Sequence, residues 1–446
     1  MSNKPAAVSG GWSDLYKKED WWAVWLGVGI VIAAILLWLS GSSISLLAVK
    51  IPQWAEFSTV SSYLGDNLGS LVLLFIVFTA IFSLAVKILG HKLSEFLPGF
   101  LIIFIMAVLV SIFGSWEWAK KYNLEAPLVA LGLGLIIGNL MPIPKWFEAA
   151  LRTEFYVKVG IVLLGATLPF TKIIEAGPVA FTQATVIAVT TFMSIYWAGT
   201  KLFGLDRRFA ATLGAGGSIC GVSASIAIGG AVKAEKQHVS VAITMVIVWA
   251  IIMIYALPIF ISVFGIPAGP AGAWIGTSEF ADAAGMAAAA AIGDQAITTF
   301  TLMKVVGRDM FVGIWCFLLA LISITKWEKR EDGTKPDAAE IWYRFPKFVI
   351  GFFVASAIVT LIIAGADPET SKAITSDVIK PVKTLRTWAF IFCFLAIGLT
   401  TRFRELTSVG WKPFAAFTTG VLVNVPLGYI FSIIILGGYW MAVAAK

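Results

Sequence analysis

Apolar residues in this chain come in long unbroken blocks, such as Val24–Trp38, Leu71–Ala85 and Leu101–Phe113, instead of at the short periods of an amphipathic helix or a half-buried strand. A block of that length is longer than the face a soluble domain can cover, and it matches the hydrocarbon thickness of a bilayer. Charged residues make up only 13% of the 446 residues, against about a quarter in a soluble domain. The chain reads as an all-α polytopic membrane protein.

Blocks of about 17 to 25 residues place spans near 22–40, 70–90, 94–114, 127–143, 155–170, 177–204, 209–232, 239–264, 281–303, 311–325, 347–364, 388–401 and 414–437. That is roughly eleven to thirteen transmembrane helices, with discontinuous ones near the membrane midplane. The division is a polar, interfacial N-terminus at 1–21, additional N-terminal helices at 22–124, and a first core part at 125–325 containing a broken helix at 209–232. A polar loop at 326–346 and a second part at 347–446 follow. The first apolar run is followed by no A-x-A-like site, so it reads as a transmembrane helix and not a cleaved signal peptide.

The net charge of +7 is carried largely by basic clusters between apolar blocks, which in a membrane chain set orientation and do not point to nucleic acid. With the N-terminus in the cytoplasm, Lys87, Lys92, Lys145, Arg152, Lys201, Arg207, Arg208 and the loop Lys326–Lys347 fall on that side. Lys372, Lys380, Lys383 and Arg386 fall opposite. The expected location is an inner (plasma) membrane. GWSDLYKKEDWWAVW, alternating aromatic and charged residues, reads as an anchor at the bilayer surface. Cys220, Cys316 and Cys393 all lie in apolar segments with no metal or redox spacing. No cofactor or metal is expected, and a homodimer stays open.

The chain also resembles itself. GATLPFTKIIEAGPVAF at 165–181 aligns without a gap on GLTTRFRELTSVGWKPF at 398–414, matching Gly165 to Gly398, Thr167 to Thr400, Phe170 to Phe403, Gly177 to Gly410 and Phe181 to Phe414. An odd number of spans separates the copies, so they cross in opposite senses, as inverted repeats of carriers do. Chance likeness of two glycine-rich segments is the alternative.

LGAGGSICGVSAS at 213–225 lies between long apolar segments. Unpaired backbone in hydrocarbon costs several kcal/mol and survives only when buried in protein or lining a watery cavity. Gly214, Gly217 and Gly221 let the helix open, while Ser218, Cys220 and Ser223 add side-chain donors. An opened helix presents free N–H groups and a positive dipole end, which attract an anion. The structural alternative is tight packing, since Gly217–Gly221 and Gly134–Gly138 are GxxxG pairs. Thr167 and Thr400 are further candidate anion ligands from the two repeats. Glu279, Asp282, Asp294 and Lys304 surround a small-residue helix and are candidates for coupling to H⁺ or Na⁺, unless 270–285 is a solvated loop. Asn139, Gln183 and Asn424 read as helix–helix hydrogen bonds, and Arg402 and Arg404 as anchors.

GAGGSICGVSASIAIGGAVKA, with GLGLIIGN at 132–139, LLGATLPF at 163–170 and Gly276-Thr277 leading to Lys304–Arg308, resembles the YeiH-type family, whose name assigns it sulfate export. The resemblance spans roughly 125 to 440 and implies a multi-helix secondary carrier with an inorganic or small organic anion as cargo. The chain departs from that pattern in its extra N-terminal helices and in GTSEFADAAG, where a histidine would follow the threonine. Glu279 and Asp282 stand there instead. The function expected is therefore secondary transport of a sulfate-like, sulfonate or carboxylate anion, by an exporter coupled to H⁺ or Na⁺. The alternatives are a cation/proton antiporter, a passive anion channel, or, remotely, an intramembrane serine hydrolase. For the last, GGSIC lacks the closing glycine of a nucleophile elbow, and His91 and His238 lie at span ends. The chain is not expected to be an enzyme.

Overall fold

The computed structural model describes residues 13–121, 126–309, 346–402 and 410–445, with Trp315, 318–319, 321–323 and Trp342. The polar loop at 326–341, Cys316 and the stretch 403–409 lie outside the described residues. Among the described residues the regular elements are helices. Those longer than five residues are, in chain order, α1 (Glu19–Leu39), α2 (Phe57–Ile88), α3 (Leu93–Gly114), α4 (Ala126–Leu140), α5 (Thr153–Gly165), α6 (Phe170–Leu202), α7 (Arg207–Ser218) and α8 (Val222–Ala231). Next come α9 (Lys236–Val263), α10 (Ala268–Ser278), α11 (Asp282–Ile292) and α12 (Asp294–Thr301, continued by a π turn to Val306). The chain closes with α13 (Phe348–Ala364), α14 (Pro368–Thr400), α15 (Trp411–Ile435) and α16 (Gly437–Ala445). Seven of these, α1, α2, α3, α6, α9, α14 and α15, are long and apolar enough to cross a membrane. The protein is a polytopic all-α membrane protein.

The span expected at 209–232 does not cross; it folds back on itself. A methyl placed on Gly216 would lie 2.4 Å from Ser225 Oγ, and one on Gly229 would lie 3.3 Å from Thr212 Cγ2. In a continuous helix the first pair would be about 13 Å apart. Arg208 Nη1 donates to the Lys233 carbonyl at 3.3 Å, closing the open end. α7 and α8 are thus the two arms of a hairpin with its tip at Ile219–Gly221.

The segment from 268 to 306 forms a second hairpin and then a longer helix. α12 runs alongside α10 in the same direction: Thr299 Oγ1 donates to the Gly269 carbonyl at 2.7 Å, and a methyl on Gly276 would lie 2.7 Å from Met303. α11 runs against α12, with Gly285 facing Phe300 across the turn at Gly293. Hence α10 and α11 are antiparallel, with their tip at Glu279–Ala281. Gly293 holds φ 132° and ψ −179°, a conformation open only to glycine. The two hairpins are joined by α9, whose 28 residues span roughly 42 Å. Their open ends therefore lie on opposite sides of the protein, and their tips point at each other.

α4 packs along α14 through small residues. Methyls on Gly134 and Gly138 would lie 2.7 Å from the Leu395 carbonyl and 2.8 Å from the Leu399 carbonyl, and one on Gly398 would lie 2.5 Å from the Leu131 carbonyl. The Gly134–Gly138 pair is thus a packing seam. The intramembrane amides join helices as expected: Asn139 Nδ2 donates to the Thr401 carbonyl and Gln183 Nε2 to Ser432 Oγ. Trp440 Nε1 donates to Gln183 Oε1, and Asn424 Nδ2 to Thr191 Oγ1. The added α2 and α3 dock on α14 through rings, with Phe78 and Phe100 each 5.3 Å from Phe392. α1 docks on α5 through the pairs Glu19–Arg152 and Asp20–Lys158, the latter at 2.8 Å.

The two copies of the repeated sequence turn at opposite ends of α14. Thr167, after α5, accepts from Arg386 Nη1 at 3.3 Å, while Thr401 and Arg402, after α14, meet Asn139 and Met141. Arg386 and Thr400 are separated by about 21 Å of helix axis. The end bearing Arg402 and Arg152 is called the proximal end below, and the end bearing Asp294 and Arg386 the distal end.

Candidate functional site

Gly221 makes the first tip. It holds φ 69° and ψ −114°, a left-handed backbone that a side chain resists. A methyl there would also lie 2.4 Å from the Phe280 carbonyl oxygen, so the two tips touch backbone to backbone. The aromatic ring of Phe280 packs on Phe417 of α15, with ring centres 5.4 Å apart. Each tip exposes the carbonyls of one half-helix and the N–H groups of the next, and each must be satisfied without water.

Two cations from α12 and its continuation satisfy the carbonyls. The Lys304 ammonium donates to the Ile219 carbonyl at 3.0 Å and to the Glu279 carbonyl at 3.2 Å, joining both tips. Arg308 Nη1 donates to the Gly276 and Thr277 carbonyls, both at 2.9 Å, and reaches the Glu279 carbonyl at 3.5 Å. Both side chains are buried, Lys304 completely. They sit where the negative dipole ends of α7 and α10 converge, which offsets part of the several kcal/mol that burying each charge costs.

Three carboxylates stand beside them. Asp282, in the first turn of α11, lies 3.4 Å from the Lys304 ammonium. Glu279 is buried, with Oε1 accepting from the Phe280 and Ala281 N–H groups at 3.0 and 3.2 Å. Asp309 is buried and lies within electrostatic reach of Asp282, Lys304 and Arg308. Glu279 Oε2, both Asp309 oxygens, and Arg308 Nε and Nη2 are buried without a hydrogen-bond partner among the described residues. This polar centre has donors and acceptors to spare, unlike the satisfied interior of an ordinary helix bundle.

A cavity of about 280 Å³ leads to the tips from the proximal end. Thr153, Glu154, Thr400, Thr401 and Arg402 line its mouth, and Val222, Ala281, Ala283 and Ala284 its inner end. Those inner residues begin α8 and α11, neither of which has a side-chain cap. Two half-helix N-termini therefore face one cavity. A second, apolar cavity of about 380 Å³ lies between α6 and the residues Trp315, Leu318, Leu319 and Ile322, and reaches Ser218 and Ile219 at the first tip.

The structure brings together Gly221, Cys220, Glu279, Asp282 and Lys304 at the tips, with Ser218 on the adjoining cavity and Thr400 at the proximal mouth. Gly214 and Gly217 are contact positions: methyls there would lie 3.0 Å from Phe192 and 2.4 Å from Ile195. The Ser223 side chain lies outside the described residues. Thr167 and Asp294 stand apart. Asp294 is at the distal end, paired with Lys383 at 2.6 Å and Arg386 at 3.1 Å, and its side chain is 57% exposed. It sits there because α11 returns to the distal end before α12 starts.

Arg308 and Asp309 were not among the candidates read from the sequence. Spans at 281–303 and 311–325 leave them between two apparent helices, where charged residues read as a solvated connection. The signal available was Lys304, Arg308 and Asp309 following Leu302–Met303 without any turn residue but Gly307.

Residues 98–417 match the family model described as Conserved hypothetical protein 698. The chain is 33% identical to a UPF0324 membrane protein of Rhodopirellula baltica, covering 79% of this chain and 65% of the relative. It is 32% identical to one of Nitratidesulfovibrio vulgaris, covering 80% and 62%. A UPF0324 membrane protein of Nitrosomonas europaea is 29% identical over 91% of this chain and 93% of its own length. The chain thus spans less than two thirds of the first two relatives. No solved structure matches it.

Proposed function

Because the chain belongs to the Conserved hypothetical protein 698 (UPF0324) family of membrane proteins, we propose that it is a secondary carrier moving a small anion across the inner membrane, with the proximal end in the cytoplasm. The observation that carries this reading is the meeting of two opposed hairpins at buried Lys304, with the N-termini of α8 and α11 facing a cavity open toward one end. Broken half-helices aiming N-termini at an anion near the membrane midplane are the binding device of many carriers. Neutral backbone donors hold an anion without the grip of a free cation, and release is as necessary as capture.

The cargo is a sulfate-like, sulfonate or carboxylate anion, bound beside Val222 and Ala281–Ala283, with Arg402 and Thr400 on its approach. Cation coupling falls to the carboxylates at the tips. Proteoliposomes loaded with sulfate, sulfite, methanesulfonate or small carboxylates, with and without imposed pH and Na⁺ gradients, test this. Saturable flux stimulated by anion on the opposite side supports a carrier; unitary currents without exchange would overturn it in favour of a channel.

A further inference from the structure

The charges at the tips do not balance. Glu279, Asp282 and Asp309 face Lys304 and Arg308, so three carboxylates meet two cations and a fully ionised centre carries one surplus negative charge. Glu154 on α5 adds another carboxylate nearby, paired with Lys158 at 3.6 Å. An anion entering beside α11 would meet this surplus at close range, with Asp282 in the same helical turn. The two half-helix N-termini attract it, but only as partial charges.

A metal cation is poorly placed to correct the balance. Unwound carbonyls are what carriers use to hold Na⁺, and here the carbonyls of Ile219, Gly276, Thr277 and Glu279 already accept from Lys304 or Arg308. What remains are carboxylate oxygens: both of Asp309 and Glu279 Oε2 have no hydrogen-bond partner among the described residues, and Asp282 Oδ1 has only its 3.4 Å ion pair with Lys304. A proton needs only one such oxygen, and a protonated carboxyl becomes a donor where the ionised form repels.

Resting on the carrier reading above, we propose that the anion and a proton bind together: the centre accepts its anion when the Asp282–Asp309 pair holds a proton, so that anion binding takes up H⁺ from solution. Anion and proton then cross in the same direction.

The test is calorimetric titration of the purified full chain in detergent with sulfate, methanesulfonate and acetate, each in two buffers of different ionisation enthalpy, from pH 5 to 8. The proposal predicts uptake of about one proton per anion and an affinity that falls about tenfold per pH unit where the pair is ionised. Asp309→Asn and, separately, Asp282→Asn should bind anion with that pH dependence reduced or lost. Two variants are used because either substitution alone could impair folding. Binding without proton uptake, or with release, overturns the proposal while leaving the anion site standing. Uptake that persists in both folded variants overturns the assignment to this pair. No binding of any anion overturns the carrier reading, and the proposal with it.

Discussion

The Lys304 ammonium lies 3.0 Å from the Ile219 carbonyl, and through this bond a side chain of α12 holds the tip of a hairpin that enters from the other side of the protein. The same ammonium reaches Glu279 and Asp282. Removing it leaves the Ile219 carbonyl and the Asp282 carboxylate without their cation, and the Glu279 carbonyl with only the 3.5 Å contact from Arg308. Lys304→Gln should therefore destabilise the protein by about 3–5 kcal/mol. Thermal unfolding in detergent checks this, with a midpoint lowered by several degrees; the double variant Lys304→Gln/Asp282→Asn should recover part of the loss.

Gly221→Ala meets two obstacles at once, a left-handed backbone and a carbonyl 2.4 Å from the new methyl. The backbone alone costs about 1–2 kcal/mol, and separating the tips adds to it. Gly65→Ala and Gly69→Ala, on a face of α2 with open space, should be neutral or slightly stabilising. Yield of monodisperse protein and its melting midpoint separate the two groups. Equal behaviour of all three variants would mean that the tips are not in contact.

Hairpin and span make opposite statements about topology. Arg207→Cys and Lys233→Cys, at the two ends of the first hairpin, should label from the same face with a membrane-impermeant maleimide. Lys172→Cys and Lys412→Cys, within the two copies of the repeat at the starts of α6 and α15, should label from opposite faces. Labelling of Arg207→Cys and Lys233→Cys from opposite faces would restore 209–232 as a crossing helix.

Much of this was legible in the sequence, and the rest was hidden for physical reasons. Asn139, Gln183 and Asn424 were readable as interhelical bonds because an amide in hydrocarbon has few other outlets. The glycine-serine stretch was readable as a break. Its direction was not, because two ten-residue arms of apolar and small residues have the same composition as one span. The same ambiguity left Asp294 looking like a neighbour of Asp282, when α11 carries the chain back to the distal end between them; Arg308 and Asp309 were missed because they fall just past the apparent end of a span. The odd spacing of the repeats led to opposite orientations even so, and Thr167 and Thr401 do turn at opposite ends of α14.

The central claim is that an anion enters the proximal cavity and rests against the starts of α8 and α11. Ala283, buried at the inner end of that cavity, reports on it most directly. With Cys220, Cys316 and Cys393 replaced by alanine, the rate at which Ala283→Cys reacts with a small membrane-impermeant thiol reagent should be measured in oriented vesicles, with and without the transported anion. The account predicts reaction from the proximal side, slowed by the anion with a midpoint equal to its dissociation constant. Reaction from the distal side only, or a proximal rate indifferent to saturating anion, would contradict it.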